Sequence, residues 1–117
     1  MTSTFALRCA AIVGATGVAL GAYGAHGLKK FVPEPEKVEM WGTASRYQLI
    51  HAAALLAISA SGRRSLFAPV LWTAGTLMFS GSIYCLVLDN QRFKALGPVT
   101  PLGGLLLIAG WLSLLAP

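Results

Sequence analysis

The sequence predicts an all-α integral membrane protein, a single-domain four-helix bundle with a short interfacial segment in its first loop. Three observations carry this. Hydrophobic residues make up 56% of the 117 residues and charged residues only 11%, where a soluble domain is about one-quarter charged. A globule this small leaves much of its surface facing water, and so few charges cannot cover that surface. The charges also cluster, leaving residues 9–28, 47–62, 65–88 and 95–117 without Asp, Glu, Lys or Arg. Roughly 20 apolar residues cross the hydrocarbon layer as a helix, and in lipid only helices or closed barrels satisfy their own backbone. Four strands cannot close a barrel, so the spans are helices, expected at about 5–27, 43–61, 66–88 and 97–116.

The first span carries Gly14, Gly17, Gly21 and Gly24 at helical spacings. They line one face, where small residues let helix backbones approach closely in lipid. One basic residue, an apolar stretch and small residues also resemble a secretory signal. The apolar part is long for a signal, and Arg8 directly before Cys9 does not fit a lipidation site, so the span is expected to be retained.

Pro33 and Pro35 end the first helix and start a new element, since proline suits a helix's first turn. Glu36 and Glu39 then favour the positive helix N-terminus. Val38 and Trp41 lie three apart, which suggests that loop 28–42 holds a short amphipathic helix in the membrane interface, with Trp41 as its anchor. The second charge-free run is the shortest, but the helix-compatible residues before it extend it, and Arg46 can snorkel its head to the interface.

The short turn at Gly62-Arg63-Arg64-Ser65 makes spans two and three an antiparallel hairpin. Gly81 on span three, and Gly103 and Gly104 on span four, continue the close-packing theme. Cys9 and Cys85 are expected at opposite membrane faces, too far apart for a disulfide.

The net charge of +5 reflects only four acidic residues and no basic patch, so a nucleic-acid partner is not expected. Lys29, Lys30, Lys37, Arg46, Arg92 and Lys94 lie on the side of the first and third loops, against Arg8, Arg63 and Arg64 on the other. The positive-inside rule places the larger group in the cytoplasm or matrix.

Chemistry-bearing residues converge, on this topology, at one end of the bundle. His26 closes span one, Tyr47 and His51 open span two, Tyr84 and Asp89 close span three, and Thr100 opens span four. Such a polar end cluster either fixes the bundle's end or conducts protons or a small solute. Zinc needs three or four ligands, and a glycine-tight core leaves little room for a haem. No nucleophile elbow, His-Glu-x-x-His motif or carboxylate pair occurs within the spans. The expectation is a non-enzyme without cofactor or metal.

Several of these residues fall in recurring motifs. Gly21-Ala22-Tyr23-Gly24-Ala25-His26-Gly27, Tyr47-Gln48-Leu49-Ile50-His51-Ala52, Phe79-Ser80-Gly81-Ser82-Ile83-Tyr84-Cys85-Leu86 and Thr100-Pro101-Leu102-Gly103-Gly104, followed by Gly110-Trp111, stand in order along the chain. Together they resemble a family of small membrane proteins of unknown function that includes bacterial YgdD and eukaryotic transmembrane protein 256. The resemblance implies four membrane spans and roles for His26, Tyr47, His51, Ser80, Ser82, Tyr84 and Thr100, and it supplies no activity. Many bacterial members carry a basic tail after the last span. The end at Pro117 looks more like the eukaryotic branch and leads to an expectation of the mitochondrial inner membrane ahead of a bacterial plasma membrane. The function expected is that of a non-catalytic accessory or scaffolding subunit, with membrane lipids and membrane proteins or further copies of itself as partners. A proton or small-solute transport module is the rival.

Overall fold

A computed structural model describes residues 2–116, with side chains from residue 4 onward. The terminal residues of the single-domain reading, Met1 and Pro117, lie outside the described residues. Four α-helices follow one another: α1 (Thr2–His26), α2 (Pro35–Ala60), α3 (Phe67–Leu88) and α4 (Val99–Ser113), with 3-10 turns at Leu28–Lys30 and Lys94–Leu96. The molecule measures 46 × 26 × 18 Å, long enough to cross a hydrocarbon layer of roughly 30 Å with its ends in water.

Three helical segments are individually long and apolar enough to span a membrane: Thr4–His26, Phe67–Leu88 and Lys94–Ser113. Helix α2 has the length, at 26 residues, but carries Glu36, Lys37, Glu39 and Arg46. It runs antiparallel between α1 and α3 along its length. Gly14 faces Ala52, Gly17 faces Gln48 and Leu49, Gly21 faces Ser45, and Gly24 faces Trp41, so α2 packs closely against α1 along its length.

The bundle is built from two hairpins, α1/α2 and α3/α4, joined along α2 and α3. Glycine zips the second hairpin as it does the first. A Cβ on Gly103 would lie 2.4 Å from the Phe79 backbone nitrogen and 2.9 Å from the Gly75 carbonyl, so the two backbones nearly touch. Gly110 leaves room for the Trp72 indole, and Gly104 makes ordinary contact with Phe79. Gly81 departs from the expectation. Nothing lies within 4 Å of where its Cβ would stand, because it faces away from both neighbouring helices, so it takes no part in packing.

The larger correction concerns α2. Its first residue is Pro35, not residue 43, because Pro35 fits the first helical turn and no breaker follows it. Residues 35–42 are therefore the first two turns of α2, continuous with the rest of that helix. Trp41 is only 2% exposed and packs inside the bundle with Leu28, Val32, Ala44, Ile83 and Val87. It is not an interfacial anchor. The true loop is shorter, and its buried Leu28 and Val32 tuck under the bundle's end. A second core cluster, with Ala6, Ala10, Val13, Leu55, Trp72 and Leu107 among its members, fills the other end.

Candidate functional site

Uncharged polar side chains form a seam along the inner face of α2, one or two per helical turn, each tied to a different neighbour. The outermost is Trp41, whose Nε1–H donates to the Leu20 carbonyl oxygen at 2.7 Å. Gly24 makes this approach possible, since a Cβ there would sit 2.4 Å from the indole. The ring is held between Tyr23 and Tyr84, with centroids at 5.6 and 4.6 Å. One turn deeper, the buried Ser80 hydroxyl donates from α3 to the Ala44 carbonyl at 2.7 Å.

Gln48 holds the centre. Its amide nitrogen donates to the Val13 carbonyl at 3.0 Å and to Thr16 Oγ1 at 2.8 Å, while its amide oxygen accepts the Tyr84 hydroxyl at 2.6 Å. Thr16 in turn donates to the Ile12 carbonyl at 2.7 Å. Three helices are thus joined by one directional chain, Tyr84 to Gln48 to Thr16 to Ile12, that ends on backbone. Burial of a carboxamide demands this, because an unmet amide in an apolar interior costs far more than a met one contributes.

His51, 4% exposed, comes next. Trp111 Nε1 stands 3.0 Å from its Nε2, and its Nδ1 lies 2.7 Å from the Tyr47 carbonyl. An indole N–H only donates, so Nε2 accepts and the ring proton sits on Nδ1, where the Tyr47 carbonyl receives it. Both nitrogens are consumed in the neutral tautomer. Trp72 and Trp111 flank the ring in edge-on contact at 6.2 and 5.8 Å.

The expected end cluster is therefore not assembled. With α2 beginning at Pro35, Tyr47 and His51 fall in its middle, and His51 lies level with Gly14 of α1. His26 is exposed at the far end of α1, about 18 Å away along the helix axis at 1.5 Å per residue, so the two histidines do not meet. Asp89 is exposed past the end of α3, where its Oδ1 accepts the Arg92 backbone N–H at 3.1 Å. The Tyr47 ring is 44% exposed and rests on Phe79, contributing its carbonyl and not its hydroxyl. Thr100 hydrogen-bonds Ser82, tying α4 to α3. Of the six expected residues, Tyr84 and His51 join the seam through their side chains, on neighbouring turns of the bundle and with different partners.

Thr16 and Trp72 were not singled out by sequence reasoning, and Gln48 and Trp111 stood in the quoted motifs without a role of their own. The available signal was the presence of uncharged hydrogen-bonding side chains deep inside charge-free runs, which must face partners in lipid. Cys9 and Cys85 are both free and half-buried. Among the described residues, no three His, Cys, Asp or Glu side chains come together in a way that suits a metal ion.

Comparison with known proteins places this architecture. A family model described as "Protein of unknown function (DUF423)" matches residues 20–104, well over half of the chain. The chain belongs to the DUF423 family. Relatives of this DUF423 protein are named for membranes. The UPF0382 inner membrane protein YgdD of Escherichia coli is 43% identical, with 98% of this chain and 89% of the relative covered. The UPF0382 membrane protein C1782.12c of Schizosaccharomyces pombe is 41% identical, with 91% and 94% covered. The UPF0382 membrane protein SAB0533 of Staphylococcus aureus is 43% identical, with 84% and 81% covered. No solved structure matches the DUF423 chain. The protein is thus a small membrane protein of a family whose activity is not established.

Proposed function

We propose that this DUF423 protein is a non-catalytic accessory or scaffolding subunit of a membrane-protein assembly. One observation carries the reading: the polar seam is spent on itself. A proton wire needs groups that accept on one side and donate on the other. The chain through Gln48 passes an amide nitrogen, which donates without accepting, and ends on the Ile12 carbonyl. His51 has no nitrogen left for a proton or a metal. What the bundle offers outward is apolar helix surface, such as Leu102, Leu105, Ile108 and Leu112 on α4, suited to lipid or to another membrane protein. Gentle extraction of the tagged protein from its native membrane, followed by a native gel, tests this. The subunit reading expects a stable large band with defined companions, and migration as a monomer in every detergent tried would overturn it.

A transport module is the second reading. It is favoured by Trp72 Nε1, Thr73 Oγ1 and Thr76 Oγ1, buried polar atoms on one stretch of α3 without hydrogen-bond partners. It expects solute or proton flux in liposomes that His51→Ala abolishes while the helices remain intact. The finer cellular placement, the mitochondrial inner membrane ahead of a bacterial plasma membrane, is a proposal that fractionation of tagged cells tests.

A further inference from the structure

A groove follows the line where α1 meets α2. Its upper part, of about 340 Å³, opens at the end where α1 finishes and α2 begins. All four acidic side chains, Glu34, Glu36, Glu39 and Asp89, belong to this same end of the molecule. Gly21, Ala25 and Gly42 line the upper part and add little or no side chain, while Glu39 and Arg46 stand on its α2 side. The lower part, of about 310 Å³, is apolar and passes Leu7, Gly14, Ala53 and Leu56. Arg46 and Ala53 lie seven residues apart, as do Gly21 and Gly14, so the two parts share one face of each helix. Leu49 leans into Gly17 between them.

The charges stand along this groove in a fixed order. Glu39 and Arg46 are both exposed and seven residues apart on α2, about 10 Å along its axis. Arg46 turns its head back toward the start of the helix, as a snorkelling side chain does. Its Nη2 donates to Thr43 Oγ1 at 3.1 Å, and a Cβ on Gly42 would lie 3.3 Å from its Nη1. The guanidinium therefore stands level with residues 42 and 43, about one helical turn below Glu39. It is turned to a hydroxyl and not to a carboxylate, with further N–H donors to offer. From its apolar depth outward, the groove thus presents hydrocarbon wall, then cation, then anion.

We infer that this groove binds a phosphatidylethanolamine-type phospholipid, with its phosphate against Arg46, its ammonium against Glu39 and an acyl chain along the lower part. The occupant follows from the order of charges. Such a lipid runs chain, phosphate, ammonium in the same direction, with two carbons between the last two. Guanidinium pairs phosphate through directed hydrogen bonds, and a primary ammonium donates charge-assisted hydrogen bonds to a carboxylate. A choline headgroup has no N–H to donate and favours a cage of aromatic faces. Among the described residues the groove wall holds a single indole, Trp41, already committed to the Leu20 carbonyl. A glycerol headgroup leaves Glu39 without a cation and sets a net negative lipid beside it.

The test uses the full-length protein in neutral detergent, offered phosphatidylethanolamine, phosphatidylcholine and phosphatidylglycerol with identical acyl chains and read by native mass spectrometry. The ethanolamine lipid is expected to be retained about tenfold over the other two, the worth of one charge-assisted hydrogen bond. Glu39→Gln is expected to erase that preference and Glu39→Lys to hand it to phosphatidylglycerol, a reversal that only a folded protein can show. Glu36→Gln is expected to leave it intact. Arg46→Gln is expected to lower retention of all three lipids, with Arg46→Lys keeping most of it. Ala25→Trp and Ala53→Trp, which fill the upper and lower parts under intact charges, are each expected to lower retention. Equal retention of the ethanolamine and choline lipids would overturn the inference, as would an equal loss of preference in Glu36→Gln, which would reduce it to surface charge. Full displacement of the lipid by free phosphoethanolamine would overturn it in favour of a headgroup site without a chain. A stable dimer that excludes lipid from the groove would overturn it in favour of a second copy.

Discussion

Gln48 satisfies two amide hydrogens and one oxygen with partners on α1 and α3, so its removal strands groups on both sides. Gln48→Leu is expected to cost about 1–3 kcal/mol, the penalty for orphaning buried polar groups. Tyr84→Phe, which removes one partner, is expected to cost nearer 0.6 kcal/mol, the average for hydrogen bonds between membrane helices. Reversible unfolding in mixed micelles checks both, and the double variant should cost less than the sum if the two residues act through one bond. At the acidic end, Glu34 is held below the usual carboxylate range by hydrogen bonding to its own backbone N–H and by Lys37, whose ammonium lies 3.3 Å away. A depressed carboxylate stabilises the fold above its unfolded value of 4.5, and that contribution is lost as pH falls through the lower folded value. Side-chain carbon NMR is expected to give a midpoint below 4.5 for Glu34, and Lys37→Ala should raise it only part of the way. Residue types alone require that polar groups at depth find partners. They did not say which, because the partner of Gln48 is set by the register of three helices.

Helix α2 shows where reading by element succeeds and where it stops. Charge-free runs located α1, α3 and α4 to within a few residues, since the apolar requirement of lipid acts on each independently. Helix α2 enters the bundle through Glu36, Lys37, Glu39 and Arg46, so counting charges placed its start too late, and everything hung on that start moved two turns. The glycine stripe was legible for α1 because spacing alone defines a face. Gly81 was misjudged because which face meets a neighbour is a property of the pair. The two cases make a matched test. Gly103→Ala drives a methyl into the Phe79 and Gly75 backbones, which cannot yield as a side chain can, and should destabilise by at least about 2 kcal/mol. Gly81→Ala meets open space and should be neutral or stabilising by up to about 1 kcal/mol, through reduced freedom of the unfolded chain. Denaturation in detergent followed by far-ultraviolet circular dichroism distinguishes them.

At the scale of the molecule, the count and order of helices were legible because loops must hold the charges. The arrangement was not, since a flattened pair of hairpins and a square bundle satisfy the same hydropathy. Orientation follows from the loop cations. Arg46 lies within α2 and bonds Thr43, which leaves Lys29, Lys30, Lys37, Arg92 and Lys94 against Arg8, Arg63 and Arg64. The positive-inside rule then puts the loop after α3 in the cytoplasm or matrix. In a variant without Cys9 and Cys85, a cysteine replacing Asn90 should react with a membrane-impermeant maleimide only after the membrane is opened. One replacing Ser65 should react in intact cells or mitoplasts.

The exposed turn at Gly62, beside which no side chain would clash, also bears on how the protein can be made. Each hairpin carries its own glycine contacts, so the peptide bond between them holds the halves near each other more than it holds them together. Two separate polypeptides, residues 1–62 and 63–117, should find one another in the bilayer and co-purify through a tag on either. A gene broken in two at this point would then still encode one working membrane protein.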